Sequence, residues 1–108
     1  MNTTVSQTYI EGLNDFNIPS HMHDGIVRYI ERGHAVGGFL SALLSNDLMK
    51  AFDRADVENF RHMGDWAKYL HNCAPSDCYG SKEKFDAWQK AGGLKGMFDQ
   101  SQADGSEP

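Results

Sequence analysis

Leu40, Leu43, Leu44, Leu48, Ala51, Phe52 and Ala55 recur at three- and four-residue intervals, so on a helix they line one wide apolar stripe that other elements must cover. The stripe reads as the core element. Ser45-Asn46-Asp47 interrupts it with short polar side chains that compete for backbone hydrogen bonds. The stretch is therefore one helix from Gly38 to Arg54 or, the preferred reading, two, with Ser45 or Asn46 capping the second. Upstream, Met22, Ile26, Tyr29 and Ile30 give a helix from Pro19 to Arg32 its apolar face, with Ile18-Pro19 opening it and Gly33 closing it. Downstream, Asp56 is placed to cap a helix reaching Cys73, on which Val57, Phe60, Gly64, Ala67, Leu70 and Ala74 share a face flanked by Trp66 and Tyr69. Ala74 to Gly80 is a turn-rich loop, after which Ser81 caps a helix from Lys82 to Ala91 carrying Phe85 and Trp88 on one side, and Gly92-Gly93 stops it.

At the ends the pattern thins. Residues 1–17 form a polar N-terminal segment in which Tyr9, Ile10, Leu13 and Phe16 have the spacing of one short helix, while Gly12 and Asn14 weigh against it. Residues 99–108 carry nothing to bury and are expected to be disordered. With no strand-like alternation and no repeat, the chain reads as all-α. The expectation is a single small domain over residues 18–98, with four to five short helices packed round a central apolar helix or helix pair.

The 108 residues suffice for one domain that buries a core without staples. The net charge of −5 changes little, because Ile18 to Lys95 holds ten basic and ten acidic residues and the excess lies in Glu11, Asp15, Asp99, Asp104 and Glu107. Direct nucleic-acid binding, which draws on clustered Lys and Arg, is not expected, and neither is an acidic mimic of nucleic acid. No apolar run approaches the ~20 residues of a membrane span, and no signal-peptide pattern opens the chain. A cytoplasmic protein with reduced Cys73 and Cys78 is expected.

Candidate chemistry is sparse. His71-x-Cys73 followed by Cys78 suggests zinc, with His62, His21 or His23 as a fourth ligand. Strong zinc signatures, however, come as closely spaced pairs. The simpler reading is a buried helix-end thiol and an exposed loop thiol, with no metal. Asp47, Asp53 and Asp56 near His62 lack a nucleophile in a recognisable setting, and no phosphate loop or dinucleotide fingerprint occurs, so neither catalysis nor a cofactor is expected. Asn46, Asp47, Arg54 and Asn59 read either as caps and an ion pair from Asp47 or Asp53 to Arg54, or as the polar floor of a ligand cleft. Trp66, Tyr69, Tyr79 and Trp88 read as core, or, where exposed, as anchors for a partner.

Ile18-Pro19-x-His21, Gly25 to Glu31 with Gly33, and Gly37-Gly38-Phe39-Leu40-x-Ala42-x-Leu44-x-Asn46-Asp47-Leu48-x-x-Ala51 stand in a recurring order with Arg54-Ala55-Asp56-x-x-Asn59, Ala74-Pro75-x-x-x-Tyr79-Gly80-Ser81 and Trp88. This set resembles a family of small hypothetical proteins of tailed bacteriophages and prophages, over roughly residues 18 to 88. The cysteines and the His-x-Cys spacing lie outside the pattern. The resemblance supplies no catalytic residue or cofactor. It implies an accessory protein in the cytoplasm of an infected bacterium, one that binds and inhibits or redirects a host protein such as an anti-phage defence component. The alternative is an oligomer that sequesters a nucleotide immune signal, with Arg28, Arg32, Arg54 or Arg61 for phosphates and Asn46 or Asn59 for a base edge. On either reading the candidate binding residues are Asn46, Asp47, Arg54, Asn59, Trp66, Tyr79 and Trp88.

Overall fold

Helix boundaries in this chain are written by its glycines, asparagines and short acids. The computed structural model describes residues 4–97. The expectation for residues 99–108 lies outside them. Helix α1 (Thr4–Asp15) ends where Asn17 adopts a left-handed φ of 58° and the Ile18 N–H returns to the Leu13 carbonyl at 2.9 Å. A single 3-10 turn (Ser20–Met22) leads into α2 (His23–Arg32), which Gly33 closes in the left-handed region at φ 70°. Helices α3 (Gly38–Leu44), α4 (Leu48–Arg54), α5 (Val57–Arg61) and α6 (Met63–Cys73) follow. A second 3-10 turn (Ser76–Cys78) then precedes α7 (Lys82–Ala91), which the Ser81 side chain caps by accepting from the Lys84 N–H at 3.1 Å. The described residues are all helix, turn and loop, without strands, and form one small domain.

The described residues hold seven α-helices where four to five were expected, and three of the expected boundaries shift: α2 starts at His23, after the 3-10 turn, instead of at Pro19. The central stripe does divide into two helices, but the second is capped by Asp47, whose carboxylate accepts from the Lys50 N–H at 3.3 Å. Neither Ser45 nor Asn46 is free for that task. Asn46 takes the left-handed conformation, φ 65°, that ends α3, and the Asp47 N–H reaches back to the Ala42 carbonyl at 2.9 Å. The helix expected from Asp56 to Cys73 breaks at His62, whose φ of −107° and ψ of 20° leave the helical region and whose N–H is shared by the Glu58 and Asn59 carbonyls. Asp56 caps the first piece, as expected, by accepting from the Asn59 N–H at 2.8 Å.

The core is assembled from α1, α2, α3, α6 and α7. Ile26, Tyr29 and Ile30 of α2, Leu44 of α3, and Trp66 and Tyr69 of α6 are closed to solvent. Phe39 meets Trp66 edge-on at 5.8 Å, and Tyr29 stacks on Phe85 at 5.5 Å. Buried hydroxyls and indoles tie the helices together. Tyr69 OH donates to the Tyr9 carbonyl at 2.7 Å, Tyr29 OH to the Cys78 carbonyl at 2.7 Å, and Trp88 Nε1–H to the Tyr29 carbonyl at 3.0 Å. Gly33 and Gly93, both at φ 70°, bring the ends of α2 and α7 so close that a β-carbon on either would strike backbone.

The expected central stripe does not behave as one buried face. Its α3 half is core, but in α4 Ala51 is buried while Leu48 and Phe52 are exposed. The turn at Ser45-Asn46 resets the helical phase, so the two halves do not continue one face. Helix α6 turns a different side inward from the one its small residues suggested. Met63, Trp66, Tyr69 and Leu70 are buried, whereas Gly64 and Ala67 face solvent. The aromatic side has far more apolar area to hide than a Gly/Ala side.

Candidate protein-binding surface

Helices α4 and α5 are short, seven and five residues, and are held by their caps and by tertiary contact rather than by length. Ala51 anchors α4 to the core. Ala55, at ψ 136°, then bends the chain, and Asp56 starts α5. The corner so formed carries the largest concentration of exposed apolar side chains among the described residues. Leu48 is 58% exposed, Met49 78%, Phe52 37%, Val57 68% and Phe60 57%. Phe52 and Phe60 join the two helices edge-to-face, with ring centroids 5.5 Å apart, so the exposed apolar side chains of α4 and α5 meet at this pair. Beside it lies a hollow of about 350 Å³ lined by Ala55, Asp56, Val57, Phe60 and Arg61.

Charge rings this face in both signs. Asp53, Asp56, Glu58 and Arg61 are exposed on the same two helices, and Asp56 and Arg61 line the hollow. The Asn59 N–H holds the Asp56 carboxyl below its ordinary range, aided by His21, whose Nε2 meets Asp56 Oδ2 at 2.9 Å. An apolar centre with a charged, solvated rim is the anatomy of a surface that docks another protein.

The residues singled out from the sequence do not assemble into one site. Asn59 is buried, and its Oδ1 accepts the Trp66 indole N–H at 2.9 Å, so this pair braces the bend between α5 and α6. Trp88 is core, bonded to α2, and Tyr79 is half-buried against the core cluster. Trp66 and Trp88 are therefore core side chains and not surface anchors. Asn46 and Asp47 are exposed at the start of α4, and Arg54 is exposed at its end, about 10 Å along the axis. The Arg54 guanidinium lies over Gly38, and among the described residues neither Asp47 nor Asp53 forms the expected ion pair with it. Asp47 lines a second cleft, of about 300 Å³, with Ser41, Ser45, Lys50, Lys82 and Phe85.

The zinc candidates are held apart. His71 is exposed, Cys73 packs against Gly12 of α1, and Cys78 is closed to solvent beneath Tyr29. The loop thiol is thus the buried one, contrary to the expected exposure. Burial and the nearby Asp77 push Cys78 up to about 12, and burial with Asp15 raises Cys73, so in the free chain both thiols hold their protons at neutral pH. No cluster of three or more His, Cys, Asp or Glu residues suited to a metal occurs among the described residues. The tyrosines Tyr9, Tyr29 and Tyr69 are also raised, each chiefly by burial, and each hydroxyl serves as a structural tie. Among the described residues no helix is long and apolar enough to cross a membrane.

The sequence pattern assigned Leu48, Phe52, Val57 and Phe60 to the core. One signal pointed the other way. Leu48, Met49, Ala51 and Phe52 spread over roughly 160° of a seven-residue helix, wider than the stripe such a helix usually buries. Comparison with known proteins gives no further guide: no protein-family model, no curated protein and no solved structure matches the chain.

Proposed function

We propose that this chain is a non-catalytic bacteriophage accessory protein that binds and inhibits or redirects a host protein, an anti-phage defence component being the favoured class, and that the α4–α5 corner is its working surface. The observation that carries the binding role is the cluster of Leu48, Met49, Phe52, Val57 and Phe60 on two adjoining helices, left in solvent by a fold that buries Tyr9, Tyr29, Phe39, Trp66, Tyr69, Phe85 and Trp88. The phage setting and the cytoplasm of an infected bacterium rest on the ordered residues between Ile18 and Trp88 described above. A surface of this kind blocks a partner by complementarity alone, with its energy concentrated in a few large side chains.

The test is affinity capture of the tagged chain from infected cells, comparing wild type with Met49→Asp and Val57→Asp. A host protein recovered at near-equal amounts by the wild type and lost with both variants supports the reading. Equal recovery by all three moves the working surface elsewhere. The alternative, sequestration of a nucleotide signal, draws on the cleft of Ser41, Ser45, Lys50 and Lys82 beside Phe85. It is the weaker reading, because Asp47 shares that cleft and Lys82 Nζ is engaged by Asp86 at 3.0 Å. A nucleotide released from the purified chain on denaturation would reverse that order.

A further inference from the structure

The cleft of about 300 Å³ where α3, α4 and α7 meet has Ala42 and Phe85 as its apolar lining. Around them stand two hydroxyls, Ser41 and Ser45, one carboxylate, Asp47, and two ammonium groups, Lys50 and Lys82. Much of this polar capacity is unspent. Asp47 gives Oδ1 to the Lys50 N–H at 3.3 Å, which leaves Oδ2 open, and the Ser41 hydroxyl donates to the Gly38 carbonyl at 3.1 Å, which leaves its lone pairs open. Among the described residues the Ser45 hydroxyl has no hydrogen-bond partner and the Lys50 ammonium forms no ion pair. Asp47 and Lys50 stand three residues apart at the start of α4, yet they do not pair with each other across the cleft wall. A small molecule that carries an anion and a cation on neighbouring atoms satisfies both at once.

We infer that this cleft binds a free α-amino acid with an apolar side chain. The ligand carboxylate meets the Lys50 ammonium and the Ser45 hydroxyl, its ammonium meets Asp47 Oδ2 and the Ser41 oxygen, and its side chain lies against Ala42 and Phe85. Asp47, which repels a polyphosphate, becomes the partner that a zwitterion requires. Lys82 is engaged by Asp86 at 3.0 Å and adds positive charge on the carboxylate side. The size agrees, because a cleft of about 300 Å³ stands at the small end of the ~300–1,000 Å³ of ligand pockets. Lys50 and Asp47 are exposed, and an exposed ion pair contributes little, so the complex belongs to the roughly millimolar class.

Titration of the isotope-labelled full chain with L-phenylalanine to about 20 mM, followed by amide proton–nitrogen correlation spectra, tests this, since that range passes a millimolar dissociation constant. The amides of residues 41–50 and 82–85 are expected to move together and to saturate. N-acetyl-L-phenylalanine lacks the ammonium and L-phenylalaninamide lacks the carboxylate, so each is expected to bind several-fold more weakly, up to about fivefold for one exposed ion pair. Two variants assign the ends of the ligand. Lys50→Met should weaken L-phenylalanine but not L-phenylalaninamide, and Asp47→Asn, which keeps a capping oxygen for α4, should weaken L-phenylalanine but not the N-acetyl compound. The spectra of the unliganded variants report directly that both are folded. Resonances that stay fixed at the highest concentration overturn the proposal, as do shifts confined to other residues. Equal binding of the three compounds, or variants that bind like the wild type, overturns the zwitterion pairing. Adenosine monophosphate bound more tightly than L-phenylalanine at the same resonances overturns the amino-acid class and gives the cleft to a nucleotide.

Discussion

Gly12 of α1 lies against the thiol of Cys73 of α6, with no room between them for a β-carbon. This contact explains why a helix that its own sequence argues against exists at all. Glycine costs a helix interior about 1 kcal/mol relative to alanine, yet here it admits the close crossing through which Tyr69 reaches the Tyr9 carbonyl and Tyr9 reaches Glu31 Oε2 at 2.8 Å. Local propensity is overruled by packing.

Gly12→Ala is therefore expected to destabilise the fold despite its better helix propensity, because overpacking costs ~1–3 kcal/mol against a gain of about 1 kcal/mol. Urea denaturation should show a lower midpoint with an unchanged slope. In a Cys73→Ala background the sulfur is gone while the residue-73 β-carbon and the Tyr69 ring stay close, so the same substitution should cost less than it does in the wild type. Additive effects of the two substitutions would show that the crossing is not what requires glycine.

The indole N–H of Trp66 has its partner in Asn59 Oδ1, and both side chains are buried. Asn59→Leu removes the acceptor and leaves a buried donor unpaired, at an expected cost of ~1–3 kcal/mol. Replacing the indole as well, with Trp66→Phe, should add less than Trp66→Phe costs alone. The double-mutant cycle by chemical denaturation measures that coupling, and a coupling near zero would remove the pair from its bracing role.

Asn46 and Asp47 do different work. Asn46 closes α3 from the left-handed region, where glycine is the favoured residue, so Asn46→Gly should leave the thermal midpoint unchanged or raise it, whereas Asn46→Ala should cost ~1 kcal/mol. Asp47 caps α4, and Asp47→Ala should also cost ~1 kcal/mol. Loss of host-protein capture in Asn46→Gly with full stability would instead give Asn46 a place in binding.

These contacts also separate what the sequence announces from what it leaves open. Gly33, Gly92, Asp56 and Ser81 act within a few residues of themselves, and each bounds a helix where its local chemistry says it must. Which side of a helix turns inward is a different kind of question. Helix α6 offers two apolar faces at valid spacing, and only the presence of Phe39 and Tyr9 opposite Trp66 and Tyr69 selects the aromatic one. Val57 and Phe60 fall on the rejected face, and the break at His62 then swings them outward with α4. The candidate surface was thus hidden in the sequence as surplus core: more large apolar residues than the assembled helices can cover.

Asp56 sets how that surface responds to acid. The Asn59 N–H, with a contribution from His21, lowers its carboxyl below the ordinary 3.8 in the folded chain. The contribution of the ionised cap is therefore fully present above about 3.8 and is lost as pH falls from there through the lower folded value. Asp56→Asn keeps a capping oxygen but cannot titrate. Measured from about pH 5 to about pH 2.5, the stability advantage of the wild type over Asp56→Asn should shrink steadily. Because α5 carries Val57 and Phe60, partner binding should weaken in the same window for the wild type and less so for the variant. A wild-type advantage that holds constant to the acid end would mean that Asp56 keeps the same affinity for its proton folded and unfolded, and that the start of α5 is fixed by packing instead of by its cap.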